Sequence, residues 1–204
     1  MASKSGRIQK MDKNQIKLQI ETLINKYKKV VESGSLKKYT EEETKKGFIE
    51  PLFEILGWNI RDKNEVTAEE HQSLGRVDYG FYIDDRLKFY LEAKALSADL
   101  HREDFANQTV RYSWNKGATW AILTDFESIK VFNAQDIERS LADKLFFEIP
   151  YTQYSERFDQ LWLLSKDSFK ENLLDKEADK YGKKLQRVSV TSLLYKTWIN
   201  AVKY

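Results

Sequence analysis

Two alternating apolar runs, Val77–Ile83 and Leu87–Ala93, are separated only by Asp84-Asp85-Arg86, and this pair restricts the fold more than any other feature of the sequence. A period of two marks a strand with one buried face, and two such runs joined by a short polar loop form an antiparallel hairpin. Val77, Tyr79, Phe81 and Ile83 share one face, and Leu87, Phe89, Leu91 and Ala93 share a face of the next strand, so both sets belong on the core side. The other face then carries Arg76, Asp78 and Gly80 beside Tyr90, Glu92 and Lys94. Directly paired residues in an antiparallel ladder point the same way. Pairing Ile83 with Leu87 keeps the apolar sets together and sets Asp78 opposite Glu92. That register requires an odd loop, Asp84–Arg86 or two residues longer. A two-residue loop would pair Asp78 with Leu91 and break both the core and the polar cluster.

Two carboxylates and an ammonium on adjacent strands suit metal-dependent hydrolysis. Carboxylates hold a hard cation, which lowers the pKa of a bound water and offsets charge on a phosphoryl oxygen. A lysine beside them orients that water or neutralises developing charge. The competing reading is an Asp–Lys–Glu ion-pair cluster on a wet sheet face, and spacing alone leaves both open. Composition narrows the chemistry. The chain has no Cys and only two His, His71 and His101, both read as incidental loop residues. Thiol nucleophiles, zinc ribbons, histidine-rich zinc sites and nucleases of the His-Asn-His type are excluded, so any metal is held by oxygen, which favours Mg²⁺, Mn²⁺ or Ca²⁺.

Around the hairpin the pattern alternates between helix and strand. Residues 14–33 carry Ile16, Ile20, Leu23, Ile24, Tyr27 and Val31 at helical spacing, and Ser33-Gly34-Ser35 ends the run. A second helix runs from Thr40 to Leu56 with Gly57 as its stop. Pro51 lies inside it, and its ring opposes the carbonyl of Gly47, so a kinked but continuous helix is expected. Residues 58–66 read as a short strand. A helix over 103–116 closes at Lys116-Gly117. Strands follow at Thr119–Thr124, Ser128–Phe132 and Lys144–Ile149, with a turn near Pro150. From Ser155 to Lys203 the pattern is helical, including Leu193, Leu194, Trp198 and Val202. The order predicts an α/β fold, a mixed central sheet flanked by helices, with a C-terminal helical extension. The boundaries expected are 1–35 for a basic amphipathic helix, 36–150 for the α/β core and 151–204 for a helical connector.

The second helix adds a carboxylate by phase. At about 100° per residue, Glu41 lies with Phe48, Leu52 and Ile55 on the buried stripe. An acid there needs a partner or a metal, although solvation at the helix end is the alternative. Glu43 sits on the solvent side and completes a Thr40-x-x-Glu43 capping box. On the helix after the hairpin, Gln108 and Tyr112 are one turn apart and face the same way. Glu43-Thr44-Lys45 copies the Glu-x-Lys spacing, but on a helix residues two apart do not face each other.

The segments EEETKKGFIEPLFEILGW, LGRVDYGFYIDD, FYLEAKAL, QTVRY and WAILTDFESIKVF occur in this order. Together, over about residues 36–150, they resemble the nuclease domain of the PD-(D/E)xK superfamily, in its RecB-like branch. The nearest version is the N-terminal nuclease of type I restriction subunits and of single-chain type IIG restriction-modification enzymes. The resemblance implies a restriction-endonuclease-like sheet and Mg²⁺-dependent cleavage of DNA, with Mn²⁺ as a substitute. It implies Asp78 and Glu92 as metal ligands, a backbone carbonyl from Ala93, Lys94 as the catalytic lysine and Glu41 as the helix glutamate, with Glu43 as its fallback. Gln108 and Tyr112 match the Gln-x-x-x-Tyr element. Val77 stands where the motif name has proline, a common departure.

The resemblance also implies partners: double-stranded DNA, and a methyltransferase, helicase or specificity module on the same or a separate chain, since this sequence holds no Walker-type loop and no Gly-rich cofactor loop. Dimerisation on DNA fits two-strand cleavage. A non-catalytic DNA-binding or docking domain is the alternative. Net charge is only +2, but residues 1–40 hold ten Lys/Arg against three Asp/Glu. That arm either contacts phosphate or, through Lys10, Lys13, Lys17 and Lys26, forms the solvated face of a surface helix. No apolar run is long enough to span a bilayer, and MASKSGRIQK lacks an apolar signal core, so a cytoplasmic protein is expected.

Overall fold

The expected hairpin forms, but its register is reached by a different route. In a computed structural model, which describes residues 12–72, 75–135 and 139–182, β2 (Gly75–Ile83) pairs with β3 (Arg86–Ala93). The loop has two residues rather than three: Ile83 pairs with Arg86, and Asp84 and Asp85 have φ of 50° and 58°. Two successive positive φ values make the tight turn whose twist matches the flanking strands, and aspartate is among the residues that tolerate them. Such a loop by itself would have put Asp78 against Leu91. A bulge corrects it. Tyr82 pairs with Leu87, Phe81 pairs with Phe89, and Lys88 is the extra residue between them. Below the bulge Gly80 meets Tyr90 and Tyr79 meets Leu91, so Asp78 comes level with Glu92.

The bulge has a second consequence. A one-residue slip reverses the side to which a strand residue points. Leu87 therefore leaves the Phe89 face and packs with Tyr90, Tyr112 and Ala118, contrary to its expected place in the main core. Val77 joins the same small cluster rather than the main core. It does so although β2 keeps its register with β1 there, Val77 pairing with Glu70, and nothing in the ladder explains the change of side.

The sheet has six strands in chain order: β1 (Val66–Gln72), β2, β3, β4 (Trp120–Thr124), β5 (Ser128–Asn133) and β6 (Leu145–Pro150). Neighbours are antiparallel except β3 and β4, which run parallel. A parallel pair needs a crossover, and α4 (Glu103–Asn115) supplies it. Ala106 and Val110 of α4 pack on Ala121, Leu123 and Phe132 on one face of the sheet. The other face holds the larger core. There Phe81, Phe89, Ile122 and Val131 meet α1 (Lys13–Glu32), the helix over residues 41–55 and the segment beyond β6, through Ile20, Tyr27, Phe53, Trp58, Phe158 and Phe169. This is the mixed, helix-flanked α/β architecture expected.

The strand expected at 58–66 is absent, and β1 begins at Val66 instead. Side chains of Asn59 and Asp62 accept the N–H groups of Arg61 and Asn64, and Glu65 Oε1 accepts that of Asn59 at 2.6 Å. Such local bonds compete directly with a ladder. The true strand, VTAEEHQ, is a polar edge strand without apolar alternation, and His71 lies in it rather than in a loop.

The helix with Pro51 is continuous, as α2 (Glu41–Thr44), a π-turn (Lys45–Ile49) and α3 (Glu50–Ile55). Pro51 has no N–H for the Gly47 carbonyl, which accepts from Lys26 Nζ at 2.6 Å instead. The buried stripe accordingly runs Phe48, Ile49, Leu52, Phe53 and Leu56, while Ile55 is only half-buried. After β6 come a one-turn helix over residues 151–153, then α6 (Phe158–Trp162), α7 (Lys166–Lys170) and α8 (Leu173–Lys180), with α5 (Leu141–Lys144) before β6. Leu193, Leu194, Trp198 and Val202, like Lys10, lie outside the described residues. Lys13, Lys17 and Lys26 lie over the rings of Trp162, Phe158 and Phe48. No helix among the described residues is long and apolar enough to cross a membrane.

Gly80 holds the hairpin's second face together. A Cβ there would meet Thr67 Oγ1 and Tyr90 Cε1 at 2.9 Å and Tyr82 Cε2 at 3.0 Å. Tyr90 is buried and edge-on to Tyr112 at 5.2 Å, so its ring cannot yield freely. Gly80→Ala is expected to cost about 1–3 kcal/mol, read as a lower urea midpoint. An unchanged midpoint would show that the rings move aside without loss.

Candidate active site

The polar cluster lies where the parallel pair β3–β4 ends. Ala93 is level with Thr124, and the Lys94 N–H donates to the Thr124 carbonyl at 2.8 Å. Just past the last β2–β3 pair, Asp78 substitutes for the ladder: its Oδ2 accepts the Ala93 N–H at 2.7 Å. Its Oδ1 accepts from Lys45 Nζ. Lys45 also donates to Glu41 Oε1 at 3.1 Å. Glu41 Oε2 lies 3.9 Å from Lys94 Nζ, and Lys94 donates to Glu92 Oε1 at 2.5 Å. The five groups Asp78, Lys45, Glu41, Lys94 and Glu92 thus form an open chain of alternating sign that begins and ends on a carboxylate.

Burial is uneven along those five groups. Asp78, Lys45 and Glu92 are each only 5% exposed. The Glu41 side chain is 44% exposed and stands at the mouth. Glu92 Oε2 is buried and accepts no hydrogen bond. Such an atom carries a desolvation cost that no hydrogen bond to it offsets. Burial, and then the charge of Asp78, push the Glu92 carboxyl up to about 7 against the opposing pull of Lys94. For Lys45, burial works to lower the ammonium's pKa, but the bonds to Asp78 and Glu41 outweigh it and leave the pKa raised.

Each side chain is placed by its own element. Thr40 caps α2 through Glu43, whose Oε2 accepts the Thr40 N–H at 2.8 Å, so Glu43 is occupied as the capping box requires. Thr44 Oγ1 accepts the Leu96 N–H at 3.1 Å and ties α2 to the chain leaving β3. That tie sets Glu41 and Lys45 beside Glu92 and Lys94. On α4, the Phe105 ring lies 4.9 Å from Lys94 Nζ and 4.6 Å from the Arg102 guanidinium carbon. Tyr112 is buried against Tyr90, and Gln108 is exposed on the outer side of α4. The structure therefore gathers Asp78, Ala93, Glu92, Lys94 and Glu41. Lys45 joins them without having been expected from the sequence, although its spacing of four from Glu41 puts both on one helix face.

No group of three His, Cys, Asp or Glu side chains is gathered as a metal cage among the described residues. The oxygen donors at hand are Asp78, Glu92 with its unpartnered Oε2, and backbone carbonyls. This set fits a small hard cation that keeps several waters and needs only one or two carboxylates, rather than an enclosed all-protein site.

Raised carboxyl pKa values predict the pH dependence of stability. Between the ordinary Glu value of 4.5 and about 7, the folded chain keeps a Glu92 proton that the unfolded chain has lost. Stability therefore falls as pH rises through that window. Asp125, raised from 3.8 to about 7 chiefly by burial, acts in the same sense. In the presence of chelator, the urea stability of the wild type is expected to fall between pH 5.5 and 8. Glu92→Gln should lose less over this range, by up to about 2 kcal/mol. Identical pH dependence in the two proteins would show that Glu92 ionises normally when folded.

The chain is similar to the Escherichia coli protein named type II restriction enzyme and methyltransferase RM.Eco57I, with 27% identity over 196 residues. The match covers 87% of this chain and 20% of the relative, so the chain spans about one fifth of that protein's length. No family model matches the chain, and no solved structure matches it significantly. A mixed sheet with flanking helices and likeness to a restriction-modification enzyme are together consistent with a restriction-enzyme-like domain.

Proposed function

We propose that this chain is a Mg²⁺-dependent endonuclease module of the PD-(D/E)xK type that hydrolyses DNA phosphodiester bonds within a restriction-modification system. The observation that carries this reading is the buried, unpartnered Glu92 Oε2 beside Asp78 and Lys94. A buried carboxylate oxygen without a donor is an open acceptor for a cation or for a water that the cation holds. The likeness to a restriction enzyme and methyltransferase supports the same reading.

Asp78 and Glu92 would hold the cation, aided by the Ala93 carbonyl. When bound, the cation supplies Lewis acidity, which eases deprotonation of a water and offsets charge on the phosphoryl oxygen. Lys94, held against Glu92 and over Phe105, orients the attacking water and neutralises charge that develops on phosphate. Glu41, at the mouth, contacts the water shell. Gln108, on the exposed side of α4, meets the DNA, and Tyr112 supports the site through Tyr90. Hydrolysis forms a bond from the water oxygen to phosphorus and breaks the bond from phosphorus to the sugar oxygen, which takes up a proton in place of the one the water loses and leaves as a hydroxyl. DNA sequence readout and methylation belong to partner modules on the same or another chain, and two copies on DNA would cut both strands. Mn²⁺ replaces Mg²⁺ in the same donor set.

The test is nicking of supercoiled plasmid by the protein in Mg²⁺. Glu92→Ala and Lys94→Ala, checked for folding by circular dichroism, are expected to lose about 10²-fold or more in rate. If both cut like the parent, the assignment is wrong. Salt-sensitive DNA binding that ignores Glu92→Ala, with no cleavage in Mg²⁺ or Mn²⁺, would identify a non-catalytic DNA-binding domain instead.

A further inference from the structure

Lys45 is buried between Asp78 and Glu41 in the chain of charges, and the hydrolysis described above gives it no part. Its ammonium bridges Asp78 Oδ1 and Glu41 Oε1. Both Asp78 oxygens are therefore engaged, Oδ2 by the Ala93 N–H and Oδ1 by Lys45. The two partners are not equivalent. The Ala93 N–H is fixed by the backbone of β3. Lys45 is a point charge on a flexible four-carbon stem. Any cation that claims Asp78 takes Oδ1 from Lys45.

The surroundings make that exchange inexpensive. Lys45 already touches Glu41, which is half-exposed at the mouth, so an ammonium leaving Asp78 keeps one of its two ion pairs. Charge points the same way. The cluster has three carboxylates and two ammoniums, Lys45 and Lys94. With all five ionised, its net charge is −1. A divalent ion turns this to +1, the complement of one backbone phosphate. Without a cation, a buried Asp78 lacking Lys45 would be an uncompensated charge, which proteins rarely tolerate.

We propose that Lys45 is a resident counter-ion, whose ammonium occupies Asp78 Oδ1 in the metal-free protein and yields it to the incoming divalent cation by moving onto Glu41. The proposal rests on Asp78 being a metal ligand, as in the function proposed above. Lys45 then sets the concentration of cation at which the site loads, while keeping the metal-free fold intact.

Calorimetric titration of Mn²⁺ into the full chain tests it, using wild type, Lys45→Met and Lys45→Gln. Both variants are expected to bind Mn²⁺ about tenfold more tightly than wild type, because no ammonium has to be displaced. Their metal-free melting midpoints should fall and be restored by Mn²⁺. Equal or weaker binding by folded variants overturns the exchange. Amine labelling of the wild type, read by mass spectrometry, covers the case in which neither variant folds. Lys45 is expected to label several-fold faster with Mn²⁺ than with chelator, and an unchanged rate overturns the proposal. Wild type that binds no Mn²⁺ overturns the metal reading itself. Binding abolished by Glu92→Ala, with Lys45 labelling unchanged, overturns only the exchange.

Discussion

The stacked pair of Phe81 and Phe89 fixes the site. Their rings lie 4.3 Å apart at 15°, directly below the Lys88 bulge, and Phe169 stacks on Phe89 at 4.8 Å. Trp58 and Phe53 close around the same pair. A register in which Phe81 did not face Phe89 would lose this packing, and aromatic pairs are worth about 0.5–1.5 kcal/mol each beyond their buried area. The tight Asp84-Asp85 turn and the aromatic pair demand registers that differ by one residue. The bulge reconciles them, and so brings Asp78 level with Glu92.

Around that register the protein stores electrostatic cost. Asp78 and Glu92 are buried side by side, and burial and mutual repulsion act together on Glu92. Lys45 and Lys94 offset the charge from one helix and one strand. Thr44, bonded to Leu96, keeps those elements in contact. An open chain of alternating charges with one carboxylate oxygen left unpaired is a poor way to stabilise a domain. It is what the proposed nuclease site requires, and local disagreement with stability rules is where function is commonly found.

Much of this was readable from residues alone where the signal is local. The Thr40–Glu43 capping box and the glycine stops at Gly57 and Gly117 are contacts within a few residues, and each forms as expected. Glu41, singled out by helical phase, reaches the site. Less was readable where distant partners decide. Lys45 looked like half of a decoy motif because Asp78, 33 residues away, gives it meaning. Leu87 was assigned to the wrong side because alternation holds only while pairing is regular, and the β2–β3 bulge interrupts it. The strand expected at 58–66 gave way to side-chain turns at Asn59 and Asp62, and β1 escaped notice because an edge strand needs no apolar period.

By itself, then, the chain specified its helices, most of its strands, the absence of cysteine chemistry, and which carboxylates belong to one hairpin face. These follow from backbone geometry and side-chain periodicity, which act over a few residues. Tertiary structure alone decided that a bulge would replace a longer loop, that Lys45 would share Asp78 with the Ala93 amide, and that Glu92 would keep an unpartnered oxygen. Such outcomes depend on packing between segments far apart in sequence, where one stacked ring pair outweighs the preference of a turn.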